Sequence, residues 1–134
     1  VLGYLQDTAQ SISYISRASF KHVNNNHKNL KKGQLKDLKG INNQLTDILD
    51  KISIVFSERN FDNLNDLLQQ KGDLIIDVSN SIEKQVTRIR GDETSPKNTT
   101  LYFSILLETK DLLKSLMSIL ETYEEFYLST KKHL

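Results

Sequence analysis

One proline, Pro96, interrupts this chain of 134 residues, and only five glycines accompany it. These are the residues least compatible with a helix interior. Between them, apolar side chains recur at every third and fourth position, the spacing that returns a helix to the same face. From about Gly3 to Asn24 the stripe is Leu5, Ile12, Ile15, Ser19 and Val23. From about Gly33 to Ser57 it is Leu35, Leu38, Leu45, Ile48, Leu49, Ile52 and Phe56. A third, Phe61 to Arg90, carries Leu64, Leu67, Leu68, Ile75, Val78, Ile82, Val86 and Ile89. The last, Pro96 to Lys131, carries Tyr102, Ile105, Leu106, Leu112, Leu113, Leu116, Leu120 and Tyr123. No segment alternates with period two over a useful length. The chain is read as all-α.

The junctions agree with these periods. Ser95-Pro96 places a capping hydroxyl before a proline at the first helical position. Arg90-Gly91 stops the third segment at a glycine, and Asn60-Phe61-Asp62 caps its start after a short turn. Lys31 and Lys32 offer no cap to the second segment, so a Leu30–Leu35 staple is expected there. Short connections force sequential helices to run in opposite directions. An antiparallel up-down four-helix bundle in a single domain, residues 1–134, is therefore expected.

Composition narrows the partners. Eighteen basic and seventeen acidic residues nearly cancel, whereas a general nucleic-acid binder carries a clear basic excess. There is no cysteine for a disulfide framework or thiol chemistry. No apolar run approaches the roughly 18 residues of a membrane span. A start at Val1 without a signal-peptide pattern suggests an excerpt of a longer protein.

The polar clusters each have a bland reading and a functional one. In KHVNNNHKNL, Lys21 to Leu30, His22 falls near the edge of the first apolar face and Val23 inside it. Asn24, Asn25 and Asn26 suit a helix end, because asparagine tolerates the left-handed conformation. His27 and Lys28 would complement the exposed carbonyls there. A zinc site needs further ligands, and the remaining histidine, His133, is at the C-terminus. Asp62, Asp66, Asp73 and Asp77 share roughly a 60° sector of the third helix, about 150° from its apolar stripe. That is the geometry of a solvated face, although Asp73 and Asp77 are spaced to put two carboxylates on one metal. Lys21, Lys28, Lys31, Lys32, Lys36 and Lys39 gather at one end, opposed by Asp37. They make either a solvated turn or a surface for anionic lipid head groups or an acidic partner. On the fourth helix, Phe103 and Leu107 point away from the apolar stripe, beside Lys110 and Lys114. This is either a contact with another chain or the sign of a helix more central than its neighbours. Asn98-Thr99-Thr100 fits a glycosylation acceptor and Arg90-Gly91-Asp92 an adhesion tripeptide, but a polar first turn and a helix stop account for them.

Three segments carry a family resemblance: SISYISRASFKHVNNNHKNL (Ser11 to Leu30), FDNLNDLLQQKGDLIIDVSNSIEKQVTRI (Phe61 to Ile89) and LYFSILLETKDLL (Leu101 to Leu113). The most distinctive piece is R-x-x-x-x-H-x-x-N-N-H-K, Arg17 to Lys28. Together they resemble the PhoU-like helical domain at the C-terminus of bacterial sodium/phosphate cotransporter proteins. The resemblance implies a PhoU-like accessory domain on the cytoplasmic side of the inner (plasma) membrane. It would regulate or scaffold a membrane-embedded phosphate carrier. Its partners would be the transporter's own membrane domain or a second copy; the lysine cluster by itself, apart from the resemblance, adds an anionic membrane surface near Lys28, Lys31 and Lys32. PhoU proteins are similar to a doubled three-helix unit and carry E/D-x-x-x-D motifs that hold metal clusters. Here only Asp73 and Asp77 fit that spacing; Glu108 and Asp111 stand three apart, and residue 112 is leucine. No cofactor is therefore expected. No nucleophile–base pair or glycine-rich phosphate loop can be assigned, so a non-enzymatic role is expected. The rival readings are a general helical scaffold or tether unrelated to phosphate, and a histidine phosphotransfer module.

Overall fold

The computed structural model describes every residue except 1, 26, 92–94, 133 and 134, and for Leu2, Tyr4 and Leu5 the backbone alone. The described residues form four helices, α1 (Leu2–Asn24), α2 (Lys32–Glu58), α3 (Leu64–Arg90) and α4 (Pro96–Lys131). No strand occurs among the described residues. The all-α reading holds, and three of the four starts fall within one residue of the expected positions. α3 begins three residues late. Asn60 Oδ1 instead accepts from the Asp62 N–H at 2.9 Å, and the Phe61 carbonyl accepts from Leu64 N–H at 3.0 Å. Phe61 is freed to pack near Tyr123 and Tyr127, with ring centres 5.7 and 5.5 Å away. This pins the α2–α3 turn to the far part of α4.

The ends close by local chemistry. Ser95 Oγ accepts from Asn98 N–H at 3.1 Å, with Pro96 in the first turn, as expected. At α2 the Lys31 N–H donates to Gln34 Oε1 at 2.9 Å, so a glutamine inside the helix reaches back over its start. Leu35, expected to staple against Leu30, keeps 51% of its surface exposed. α1 ends without a left-handed asparagine among the described residues; Arg59 alone of the non-glycines there has positive φ, 51°, where it terminates α2. Asn24 is the last residue of α1 and Asn25 donates to Lys21 O at 3.1 Å, while Asn26 lies outside the described residues. His22 and His27 rings sit 5.0 Å apart, and His22 Nε2 donates to Lys28 O at 3.1 Å. The histidine and backbone bonds close this end.

The apolar core belongs to three helices. Ile41, Ile48, Ile52 and Val55 of α2 meet Leu64, Leu67, Leu74 and Val78 of α3. Tyr102, Leu106, Leu113, Met117 and Leu120 of α4 complete it, and no described residue of α1 takes part. α1 instead runs closest to α4. Ser11 is buried, with Thr8, Ile15, Ala18 and His22 half-buried at helical spacing around it. Ser11 and Ala18 stand near Ser115 and Ser104 of α4, and side chains this small let two backbones approach closely. Ile12 and Val23, expected to face the core, are consequently 55% and 73% exposed. The docked face lies about 70° around the helix from the expected stripe, with Ile15 common to both.

Other stripes also rotate. Leu49, Val86 and Ile89 join Leu35 at the surface, because α2 turns Ile41, Ile48 and Ile52 inward and the buried strip of α3 passes through Leu74, Val78, Ser81 and Gln85. α4 is buried on several sides, including Thr109, Leu112, Ser115 and Ile119. Leu116, expected in the core, is half-buried against it.

Two substitution sets test this packing by urea unfolding. Leu113→Ala, at a fully buried site, is expected to cost about 2–5 kcal/mol through the cavity it leaves, and Leu107→Ser at most about 0.5 kcal/mol. Arg59→Gly should stabilise by roughly 0.5–1 kcal/mol by relieving the left-handed backbone, and Arg59→Val should destabilise. Equal losses at 107 and 113 would refute the assignment of the α4 faces.

Candidate functional site

The most constrained polar chemistry lies where α2 begins, α3 ends and α4 begins. Gln34 and Gln85 are fully buried, at positions where helical spacing otherwise demands apolar groups. Gln34 Nε2 donates to Gln85 Oε1 at 3.0 Å, and Gln85 Nε2 donates to Thr99 Oγ1 at 3.1 Å. Arg88 joins from the next turn, donating to Gln85 Oε1 at 3.2 Å and to Asp37 Oδ2 at 3.0 Å. The Tyr102 hydroxyl donates to the same Asp37 oxygen at 3.1 Å. Lys84 approaches the other oxygen at 3.6 Å. Gly33 leaves room for this cluster: a Cβ there would lie 3.0 Å from an Arg88 terminal nitrogen.

The charges within it are set by their partners. Burial alone would push the Asp37 carboxyl up; hydrogen bonds from Arg88 and Tyr102, and the attraction of Lys84 and Arg88, outweigh it and hold the pKa below the ordinary value. Burial opposes the Arg88 charge, but its bonds to Asp37 and Tyr102 raise its pKa further. Burial raises the Tyr102 hydroxyl, and the neighbouring carboxylate adds to the effect. At neutral pH the cluster therefore holds one carboxylate, one guanidinium and one neutral phenol. It fixes three helices in register.

The acidic residues of α3 are all exposed. Asp77 accepts from Gln44 Nε2 at 2.7 Å, across to α2. Asp66 and Asp73 border an open groove of about 550 Å³ that also includes Lys51 and Gln70. Among the described residues no group of three or more potential ligands comes together around Asp73 and Asp77. On α4, Leu107 and Lys114 are exposed while Phe103 and Lys110 are half-buried, so this face is partly covered. All six clustered lysines are exposed. Asn98, the potential glycosylation acceptor, is 3% exposed and donates to Asn29 O at 2.9 Å, which withdraws it from modification. Asp92 and His133 lie outside the described residues.

Sequence reasoning found Asp37 only as a counter-charge and missed Gln34, Gln85 and Arg88. The available signal was polar side chains at core positions of a heptad-like stripe, since buried glutamines must find hydrogen-bonding partners. No family model, no curated protein and no solved structure matches the chain.

The pH dependence of stability follows from Asp37. Its depressed pKa makes the cluster's contribution complete well above the ordinary carboxylate value of 3.8 and lost as pH falls through and below it. Arg88→Met leaves the largely buried carboxylate without its main partner and should cost about 1–3 kcal/mol at pH 7. The same substitution should cost progressively less as Asp37 protonates. Thermal unfolding at pH 7 and pH 3 measures both; an equal loss at the two pH values would refute the charge assignment.

Proposed function

We propose that the chain is a PhoU-like accessory domain of a sodium-dependent inorganic phosphate transporter, an antiparallel up-down bundle. It sits on the cytoplasmic side of the inner membrane and regulates or scaffolds transport by helix-face contacts, without catalysis. The observation that carries this reading is the pattern Arg17 to Lys28, R-x-x-x-x-H-x-x-N-N-H-K, in a chain that forms four helices. The hydrogen bonds linking the start of α2 to the end of α3, Gln34 to Gln85 and Asp37 to Arg88, support opposite directions for those two helices. No helix among the described residues is long and apolar enough to cross a membrane, so membrane proximity would come from an attached carrier or from the domain's surface.

The working face in this reading is Phe103, Leu107, Lys110 and Lys114 on α4, docked against the transporter's membrane domain or a second copy. Leu107 is 52% exposed, and an apolar anchor beside two lysines suits such a contact. A phosphotransfer role has less support. His22 is half-buried and its Nε2 already donates to Lys28 O, which leaves only Nδ1 of a partly covered ring to accept a phosphoryl group. A scaffold unrelated to phosphate would use the same face.

Sodium-dependent uptake of radiolabelled phosphate tests this in cells expressing the complete gene product. Removing these residues should change the uptake rate at least twofold. Leu107→Ser with Lys114→Glu should reproduce the change while leaving the unfolding midpoint of the isolated chain unaltered. Sodium-dependent phosphate uptake that is absent, or indifferent to both alterations, would exclude the transporter reading.

A further inference from the structure

The chain is close to neutral, yet its charge is not evenly spread. Between residues 21 and 39 lie six lysines and one aspartate, against a net charge of +1 for the whole chain. The remainder is therefore acidic. The aspartate, Asp37, is already neutralised by Arg88 and Lys84. None of the six lysines has an ion-pair partner among the described residues; the ion pairs found there involve Lys51, Lys84 and Arg88. Lys97 at the start of α4 adds to the same end, beside Lys21, His22 and His27. Asp92 and Glu93 lie outside the described residues.

Exposed apolar side chains are interleaved with these lysines along the chain. Phe20 and Val23, in the last turns of α1, are 70% and 73% exposed, and Leu35, in the first turn of α2, is 51% exposed. We propose that this end of the molecule, formed by the close of α1, the connection and the start of α2, binds an anionic lipid surface. The six lysines supply the attraction, and Phe20, Val23 and Leu35 enter the boundary between head groups and acyl chains. The inference goes beyond the transport reading and does not depend on it.

The choice of occupant rests on the kind of charge. Shaped recognition of a phosphopeptide uses arginine forks, and Arg88 is committed to Asp37 and Gln85. The free cations are mainly lysines, hydrated point charges on flexible stems. Their energy with a bilayer depends on number and proximity, not on a fixed geometry. A nucleic-acid backbone would also attract lysines, but it offers no apolar layer to receive a phenylalanine and two aliphatic groups. A bilayer surface accepts both.

Co-sedimentation with vesicles decides the matter. The chain should pellet with phosphatidylcholine vesicles containing about 30% phosphatidylglycerol at low salt, and stay in solution with phosphatidylcholine alone; the pelleted fraction should fall at high salt, where charges are screened. Neutralising Lys28, Lys31 and Lys32 to glutamine should weaken the partition on the order of a hundredfold. Phe20→Ser with Val23→Ser should weaken it about tenfold. Circular dichroism of both variants should match the parent, because all five side chains are exposed. Three results would overturn the proposal: no pelleting with anionic vesicles, equal pelleting with neutral ones, or unchanged partition in the lysine variant. Loss of lysine-dependent binding to vesicles on adding a single-stranded oligonucleotide, with Phe20→Ser and Val23→Ser without effect on either, would identify a polyanion binder and also overturn it.

Discussion

Everything in this fold depends on α4 burying two faces at once. One face, through Tyr102, Leu106, Leu113, Met117 and Leu120, closes the apolar core with α2 and α3. Another, passing Ser104 and Ser115, receives α1. The two contacts differ in physics. The first removes large aliphatic side chains from water and supplies most of the hydrophobic stabilisation, at about 25 cal/mol for each Å² of apolar surface. The second joins small side chains and gains mainly from close backbone approach and dispersion. Among its described residues α1 contributes no apolar side chain to the core, and Ile12, Phe20 and Val23 remain in solvent.

An apolar interface tolerates sliding more readily than a polar one. The cluster of Gln34, Asp37, Gln85, Arg88, Thr99 and Tyr102 opposes sliding, because each donor must meet its acceptor within hydrogen-bonding distance. A shift of one helical turn would strand Gln34 and Gln85 unpaired in the core, at a cost of about 1–3 kcal/mol for each. At the opposite part of α4, Phe56, Phe61, Tyr123 and Tyr127 supply aromatic contact without directional bonds. Register is set at one end and volume is filled at the other.

The surfaces sort by the same distinction. Side chains of the polar cluster are committed to one another, so that cluster holds the lysine-bearing end of the molecule in place. The exposed lysines around it, with Phe20, Val23 and Leu35, remain available for contact. The α4 face through Leu107 and Lys114 is a second available surface.

The sequence by itself determined the four helices, because Pro96, Ser95, Gly91 and the three-and-four spacing act over a few residues. It also carried the gathering of lysines between residues 21 and 39, which needs only a short connection to become one end of the molecule. It left open which strip of each helix would be buried. Apolar stripes on α1 and α2 are wider than any one contact, and the choice between Ile12 and Ser11, or between Leu49 and Ile48, depends on the neighbour. Only the tertiary structure decided that α1 docks by its small residues on α4, and that Arg88 reaches Asp37 across 51 residues of chain. Helix formation is governed by local backbone geometry and periodicity; facing and pairing are governed by contacts between residues far apart in the chain.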